Sequence, residues 1–250
     1  MKSPKHLDHL LSNWSYDPGS FDARIVKGDD SREVLQMRVD LGILQMETTG
    51  RPDGEQPSDH ESMLECLVSK SLDDPDAQLT IEQCQEVDRE FMQFYHRRIC
   101  WLHLQFYNRA VMDADHTLRL MDISTKMSPD DEWTESHEQY RPFVLFHRTQ
   151  AQALAALEEK ETEEEGAEDA ISAISTGLDE LKAFFEKHEA EEYFESDELV
   201  RRLIDLRESL RNEYSVGRTL HERLAEAVEQ EQYELAAQLR DQLAKREHSH

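Results

Sequence analysis

The sequence predicts a mainly α-helical protein: a helical bundle or short helical-repeat body with an N-terminal β-hairpin and a C-terminal helical hairpin. Three observations lead to this class. Before residue 50, apolar and polar residues alternate, which is the period of a strand with one covered face. From about residue 58, apolar residues recur every three or four positions and glycine becomes sparse, as in helices. Residues 215–250 continue the helical period on either side of a polar stretch. We therefore divide the chain into segments 1–57, 58–214 and 215–250.

The N-terminal strands are predicted between Phe21 and Glu47, with Gly42 interpreted as a bulge. The alternating apolar positions of this segment are Leu35, Met37, Val39 and Leu41. The sequence "GRPDG" follows, with Pro52 and Gly54 at positions typical of a turn. We expect a loop over residues 50–59.

The helical body is predicted from capping residues and periodicity. Ser58 with Glu61, and Thr80 with Gln83, have the spacing of capping boxes. The predicted helices cover residues 58–71, 81–121, 143–160, 167–188 and 196–214. The second of these has no Gly or Pro and is too long for a typical globular helix, so we expect a hidden turn in it. Within it, "YNRAVMDADHTLRLMD" resembles the second helix of a tetratricopeptide repeat, although the Leu-Gly pair of a first helix is missing.

Composition limits the partners and the location. The chain has 28 basic and 55 acidic residues and a net charge of −27, which disfavours direct binding to nucleic acid or to anionic membranes. No apolar run approaches the length that crosses a bilayer, and the N-terminal residues lack the apolar centre of a secretion signal. Three cysteines without a CxxC pair are typical of reduced thiols. We therefore expect a cytoplasmic protein without disulfides.

The sequence carries none of the common catalytic motifs, so we predict that the protein is not an enzyme. Phosphate-binding, dinucleotide-binding and nucleophile-elbow patterns are absent from the sequence, and no pair of carboxylates stands out as an acid and a base. His96, Cys100 and His103 lie at i, i+4 and i+7, so a helix would project these potential zinc ligands from one face. Because Cys is often simply buried, we predict no metal site here and keep a metal-binding helical protein as an alternative. Since no motif or acid-base pair is present, we also predict no catalytic residue and no cofactor.

The C-terminal stretch "LAEAVEQEQYELAAQLRDQLAKR" has apolar residues on two sides of its second half. One side carries Leu235, Leu239 and Leu243, and the other carries Tyr233, Ala236 and Ala237. The "EQEQ" before Tyr233 is polar on every face and can hold a turn. Two antiparallel helices joined there would bury one side against each other and leave a second side for a partner.

This stretch resembles the UVR motif, the helical hairpin shared by the B and C subunits of the bacterial excision-repair nuclease and by regulators of Clp-type proteolysis. The resemblance covers about 30 residues and implies a protein-docking element that pairs with a second UVR motif. The partner-binding residues expected from it are Leu224, Val228, Tyr233, Ala236, Ala237, Leu239, Arg240, Asp241 and Leu243. The leucines and Tyr233 would supply apolar anchors, and Arg240 with Asp241 would set the register through charge.

The function predicted from these features is a non-catalytic adaptor or scaffold. Its partner would be a protein, either another UVR-motif protein or a second copy of this chain. The helicase motifs, nuclease domains and zinc-binding CxxC pairs of the family's larger members are missing, so their activities are not carried over. The alternative from a different class is a DNA-repair accessory factor that contacts nucleic acid through basic patches such as "HRRIC" or "VRRLIDLRESLRNE".

Overall fold

The computed structural model describes residues 6–159 and 162–247 of the chain. The chain divides into two compact units, Met1–Val144 and Leu145–His250. The described residues form ten α-helices, two short 3-10 helices and one three-stranded antiparallel sheet, which confirms the predicted mainly α-helical class. The finer division into segments 1–57, 58–214 and 215–250 stays a prediction.

The sheet consists of β1 (Ala23–Lys27), β2 (Glu33–Val39) and β3 (Gly42–Glu47), which are neighbours in that order. The predicted hairpin is confirmed, and a third strand extends it. Val39 pairs with Gly42 across a two-residue turn, so Gly42 begins β3 and its interpretation as a bulge is wrong. Leu41 lies in this turn and is 89% exposed, whereas Leu35 is fully buried. The predicted alternation of covered and exposed positions is not observed in β2, where Val34, Leu35 and Gln36 are all buried and the next three residues are all half-buried.

The helices of the first unit are α1 (Asp8–Ser12), α2 (Met63–Asp73), α3 (Ile81–His103), α4 (Tyr107–Lys126) and α5 (Asp131–Glu138). The capping box at Thr80 and Gln83 is confirmed at the start of α3. The hidden turn lies at residues 104–106, where Gln105 has a φ of 64°. The prediction that Ser58 caps the next helix is wrong. Ser58 lies in a 3-10 helix (Pro57–Asp59), and the Ser62 side chain accepts the cap bond.

Helix α6 (Arg141–Glu159) begins in the first unit, and its residues from Leu145 belong to the second. The remaining helices are α7 (Glu163–Lys187), α8 (Glu198–Tyr214), α9 (Leu220–Glu229) and α10 (Tyr233–Glu247), and a second 3-10 helix covers Glu191–Ser196. Predicted and observed ends of α6 to α8 agree within a few residues. Helix α7 starts earlier than predicted because Thr162 caps it and three glutamates follow in its first turn, where the helix dipole favours negative charge.

The core of the first unit is formed by α2, α3 and α4. Its buried members include Met63, Leu64, Leu67, Val87 and Leu120. A buried ion pair ties the sheet to these helices. The guanidinium of Arg97 on α3 donates two bonds, of 2.7 and 2.9 Å, to the carboxylate of Asp113 on α4. The same guanidinium donates to the carbonyl oxygens of Glu47 and Gly50. The end of β3 and the "GRPDG" loop are thus attached to α3.

A second buried arginine lies in the "GRPDG" loop. The side chain of Arg51 is 1% exposed and donates to Glu86 on α3 at 2.7 Å. Nearby, Glu90 is fully buried and accepts bonds from the amide of Met63 at 2.7 Å and from His116 at 2.8 Å. Because buried charges need such partners, the loop conformation depends on Arg51 as well as on its turn residues.

The second unit contains a close approach between α6 and α7. Gly177 of α7 lies against Thr149 of α6, and a Cβ at Gly177 would lie 2.7 Å from the Cβ of Thr149. Real Cβ atoms do not approach so closely, so the helix spacing requires glycine at this position. None of the described helices is both long and apolar enough to cross a membrane.

Replacing Gly177 with Ala is expected to lower the free energy of unfolding by about 1–3 kcal/mol, because overpacking forces α6 and α7 apart. Urea denaturation would measure this change. The control is Gly217→Ala, where nothing lies within 4 Å of the added Cβ. We expect the control to remain within about 0.5 kcal/mol of the original chain. Equal stability of the two variants would contradict the proposed close packing.

Candidate protein-docking site

The C-terminal hairpin begins at a capping box. The Thr219 side chain accepts a bond from the amide of Glu222 at 3.3 Å, and the Glu222 carboxylate accepts one from the amide of Thr219 at 3.0 Å. These two bonds satisfy amides that otherwise lack a partner at a helix start. Arg218 also forms an ion pair with Glu226, which lies in the second turn of α9. The start of the hairpin is therefore fixed by local interactions.

The turn between α9 and α10 lies within "EQEQ", as predicted. Gln230 is the C-cap of α9, and Glu231 has a φ of 56°, in the left-handed region. The amide of Gln232 then donates to the carbonyl of Ala227 at 2.8 Å, which closes the turn. Such a left-handed residue is a common way to end a helix. The segment is therefore two helices and not one continuous rod.

The interior of the hairpin is small and apolar. Ala227 of α9 and Ala236 and Leu239 of α10 are buried, and Leu239 is only 1% exposed. Leu220 and Leu224 are half-buried and pack against these three residues. Small alanine side chains allow the two helices to approach closely. Three of the residues predicted to bind a partner, Leu224, Ala236 and Leu239, thus contribute to the hairpin's own interior.

Five of the other six predicted residues are exposed on the hairpin. Tyr233 is 69% exposed and Val228 is 53% exposed. Ala237 is also exposed, and Arg240 and Asp241 are exposed and paired with each other at 3.2 Å. Leu243 belongs to α10, but its side chain lies outside the part of the chain that the structure describes. Binding of a partner by these residues stays a prediction.

Helix α9 also faces α7 and α8 across polar groups that the sequence analysis did not identify. The carboxylate of Glu222 accepts a bond from Arg211 of α8 and lies 3.5 Å from the Ser175 hydroxyl of α7. A cavity of about 690 Å³ lies beside this contact, lined by both cations and carboxylates. These pairings join residues 11 and 47 positions apart, so no local pattern could have indicated them.

Helices α9 and α10 thus form an antiparallel helical hairpin over residues 220–247. Residues 218–247 match the family model described as the UvrB/uvrC motif, which confirms that the C-terminal region carries a UVR motif. No curated protein and no solved structure matches the chain. The similarity of the middle region to tetratricopeptide repeats stays a prediction.

The basic patch "HRRIC" is not on the surface. Arg97 and Arg98 are both buried, with Arg97 paired to Asp113 and Arg98 donating to the Thr117 hydroxyl at 3.1 Å. Burial also lowers the pKa of Arg98 to about 10. The interpretation of this stretch as an exposed DNA-contacting patch is therefore wrong.

In the second predicted patch, several arginines have protein partners. Arg202 lies over the ring of Phe146, and Arg211 pairs with Glu222. Arg207 pairs with the neighbouring Glu208. These contacts reduce the positive charge that the patch could offer to a phosphate backbone.

The three residues considered as zinc ligands, His96, Cys100 and His103, differ in their exposure to solvent. Cys100 is fully buried, and this burial raises the pKa of its thiol to about 12, so the thiolate that binds zinc is disfavoured. Burial lowers the pKa of His96, while His103 is exposed and lies against the ring of Phe21. Among the described residues, no three His, Cys, Asp or Glu side chains form a group that could hold a metal ion.

Replacing Leu239 with Ala is expected to open the hairpin, since a Leu→Ala change at a buried site costs about 2–4 kcal/mol. The amides of both helices should then exchange with solvent at least about tenfold faster. Hydrogen exchange read by mass spectrometry would measure this rate. The control is Leu235→Ala in the same helix, where the side chain is 39% exposed and the expected change is less than about threefold. Equal effects of the two substitutions would contradict the assignment of Leu239 to the interior.

Proposed function

We propose that the chain is a non-catalytic adaptor or scaffold that binds a protein partner through its UVR hairpin. The observation that carries this proposal is the exposure of Tyr233 and Val228 on a hairpin whose inner side is already filled. Exposed aromatic residues are enriched at protein interfaces and often dominate binding energy. The UVR match at residues 218–247 supports the same role, because the motif's relatives use it for docking.

The proposal assigns the predicted residues two roles. Tyr233, Val228 and Ala237 would form the apolar contact with the partner, and the Arg240–Asp241 pair would lie at its rim. Leu224, Ala236 and Leu239 would act indirectly, by holding the two helices in position. A cytoplasmic location is part of the proposal and is supported by three free cysteines, which suit a reducing compartment.

Substituting Tyr233 with Ala should remove the partner. The full-length chain, a Tyr233→Ala variant and a Tyr193→Ala control would each be immobilised as bait, and the captured proteins compared by quantitative mass spectrometry. Tyr193 is 59% exposed and lies in a 3-10 helix of the same unit. Its replacement therefore removes an exposed tyrosine ring, as Tyr233→Ala does, but outside the hairpin.

We expect at least one protein to be reduced by about tenfold or more with Tyr233→Ala and retained with the control. That protein would then be purified and its affinity for the three baits measured. An identical set of captured proteins for all three baits would overturn the proposal.

Direct nucleic-acid binding is not part of the proposed function. The net charge of −27 repels phosphates, and the arginines of "HRRIC" are buried. At about 50 mM salt, where counterion release makes such binding strongest, fluorescence anisotropy should detect no complex with single- or double-stranded DNA at micromolar protein. A complex that weakens steeply as salt rises would favour the DNA-repair accessory role instead.

A further inference from the structure

Two apolar and two acidic residues lie in or beside the turn of the hairpin. The amide of Glu231 donates to the carbonyl of Val228 at 3.0 Å, and the amide of Tyr233 donates to the carbonyl of Glu231 at 3.0 Å. Glu234 follows Tyr233 in the first turn of α10. We call Val228, Glu231, Tyr233 and Glu234 the hairpin tip. All four side chains are exposed.

The two glutamates of the hairpin tip differ from those nearer the start of α9. Glu222 is paired with Arg211, and Glu226 is paired with Arg218. In the described part of the chain, neither Glu231 nor Glu234 has an ion-pair partner. Arg240 lies seven residues beyond Tyr233, about 10 Å along the helix, and pairs with Asp241. Among the described side chains, the hairpin tip therefore combines exposed apolar groups with two carboxylates that have no ion-pair partner.

We propose that the hairpin tip selects a partner whose apolar pocket is bordered by lysine or arginine, and that a second copy of this chain is not that partner. This inference rests on the proposed docking function. In a two-fold contact through this surface, the hairpin tip of one copy would meet the hairpin tip of the other, and the charged side chains on both sides would be Glu231 and Glu234. Opposing like charges disfavour an interface and slow association.

Two further observations disfavour a second copy. Each chain carries a net charge of −27, so two copies repel each other before contact. The exposed large apolar residues of the described hairpin side chains are Val228, Tyr233 and Leu235. A stable interface buries about 800 Å² on each partner, which is more than three side chains expose, so polar and charged groups would make up much of any contact at this surface. A partner with basic groups would turn the same two carboxylates into attractive contacts.

The test uses a charge-reversed chain as a defined partner. Full-length protein with Glu231→Lys and Glu234→Lys would supply basic groups on a hairpin of the same shape. Sedimentation velocity at about 50 mM salt would measure association of the original chain alone, and of the original chain mixed with the reversed one. Circular dichroism would establish that each variant keeps its helical content. The matched control carries Glu191→Lys and Glu192→Lys, which changes the net charge equally at exposed positions outside the hairpin.

We expect the original chain to bind the reversed chain at least about tenfold more tightly than it binds a second original chain. The original chain should also bind the reversed chain at least about tenfold more tightly than it binds the control chain. Tyr233→Ala in the original chain should weaken the mixed complex by about tenfold. Self-association of the original chain as tight as the mixed complex would overturn the inference, and so would the absence of a mixed complex or an equal effect of the control. None of these contradicting results would test the proposed docking function. That function fails only if the Tyr233→Ala variant captures the same proteins as the original chain.

Discussion

Closure of the C-terminal hairpin on its own apolar side is the constraint on which the proposed site depends. Ala227 and Ala236 let α9 and α10 approach, and Leu239 fills the space between them. Because this side is used within the hairpin, Val228 and Tyr233 remain on its outer surface. A single straight helix would have no such division between an inner and an outer side. The packing of the interior therefore determines which residues are available to a partner.

Features of the fold that depend only on neighbouring residues could be predicted from the sequence. A helix start could not be predicted where two nearby residues fit the same capping pattern. The capping box at Thr80 and the turn in "EQEQ" depend on neighbouring residues, and both are confirmed. Before α2, however, Ser58 and Ser62 are each followed three residues later by glutamate, so the local pattern allows two starts. The carboxylate of Glu90, 27 positions from Met63, accepts the amide of Met63 and favours the second start. That partner is visible only once the chain has folded.

The same limit explains the error at "HRRIC" and the omission of the contact beneath the hairpin. Adjacent arginines in an acidic chain are typical of a solvated surface, but Arg97 lies between Asp113 and the carbonyl oxygens of Glu47 and Gly50. Burial of a charge is favourable only where several partners meet it, and here they come from two distant parts of the chain, residues 47–50 and Asp113. For the hairpin, the sequence indicated the helices, the turn and the exposed aromatic residue. It did not indicate the pairing of Glu222 with Arg211.

The glutamates of the hairpin serve two physical purposes according to whether they have partners. Those paired with Arg211 and Arg218 orient α9, although partly exposed pairs of this kind contribute little to stability. Unpaired carboxylates act over about 8–10 Å at moderate salt, which is farther than any apolar contact reaches. Glu231 and Glu234 therefore influence an approaching protein before Tyr233 touches it. Affinity would come from the apolar residues, and discrimination between partners would come from the charge beside them. A substitution at Tyr233 should therefore mainly change the dissociation rate of the complex, and a substitution at Glu231 should mainly change its association rate.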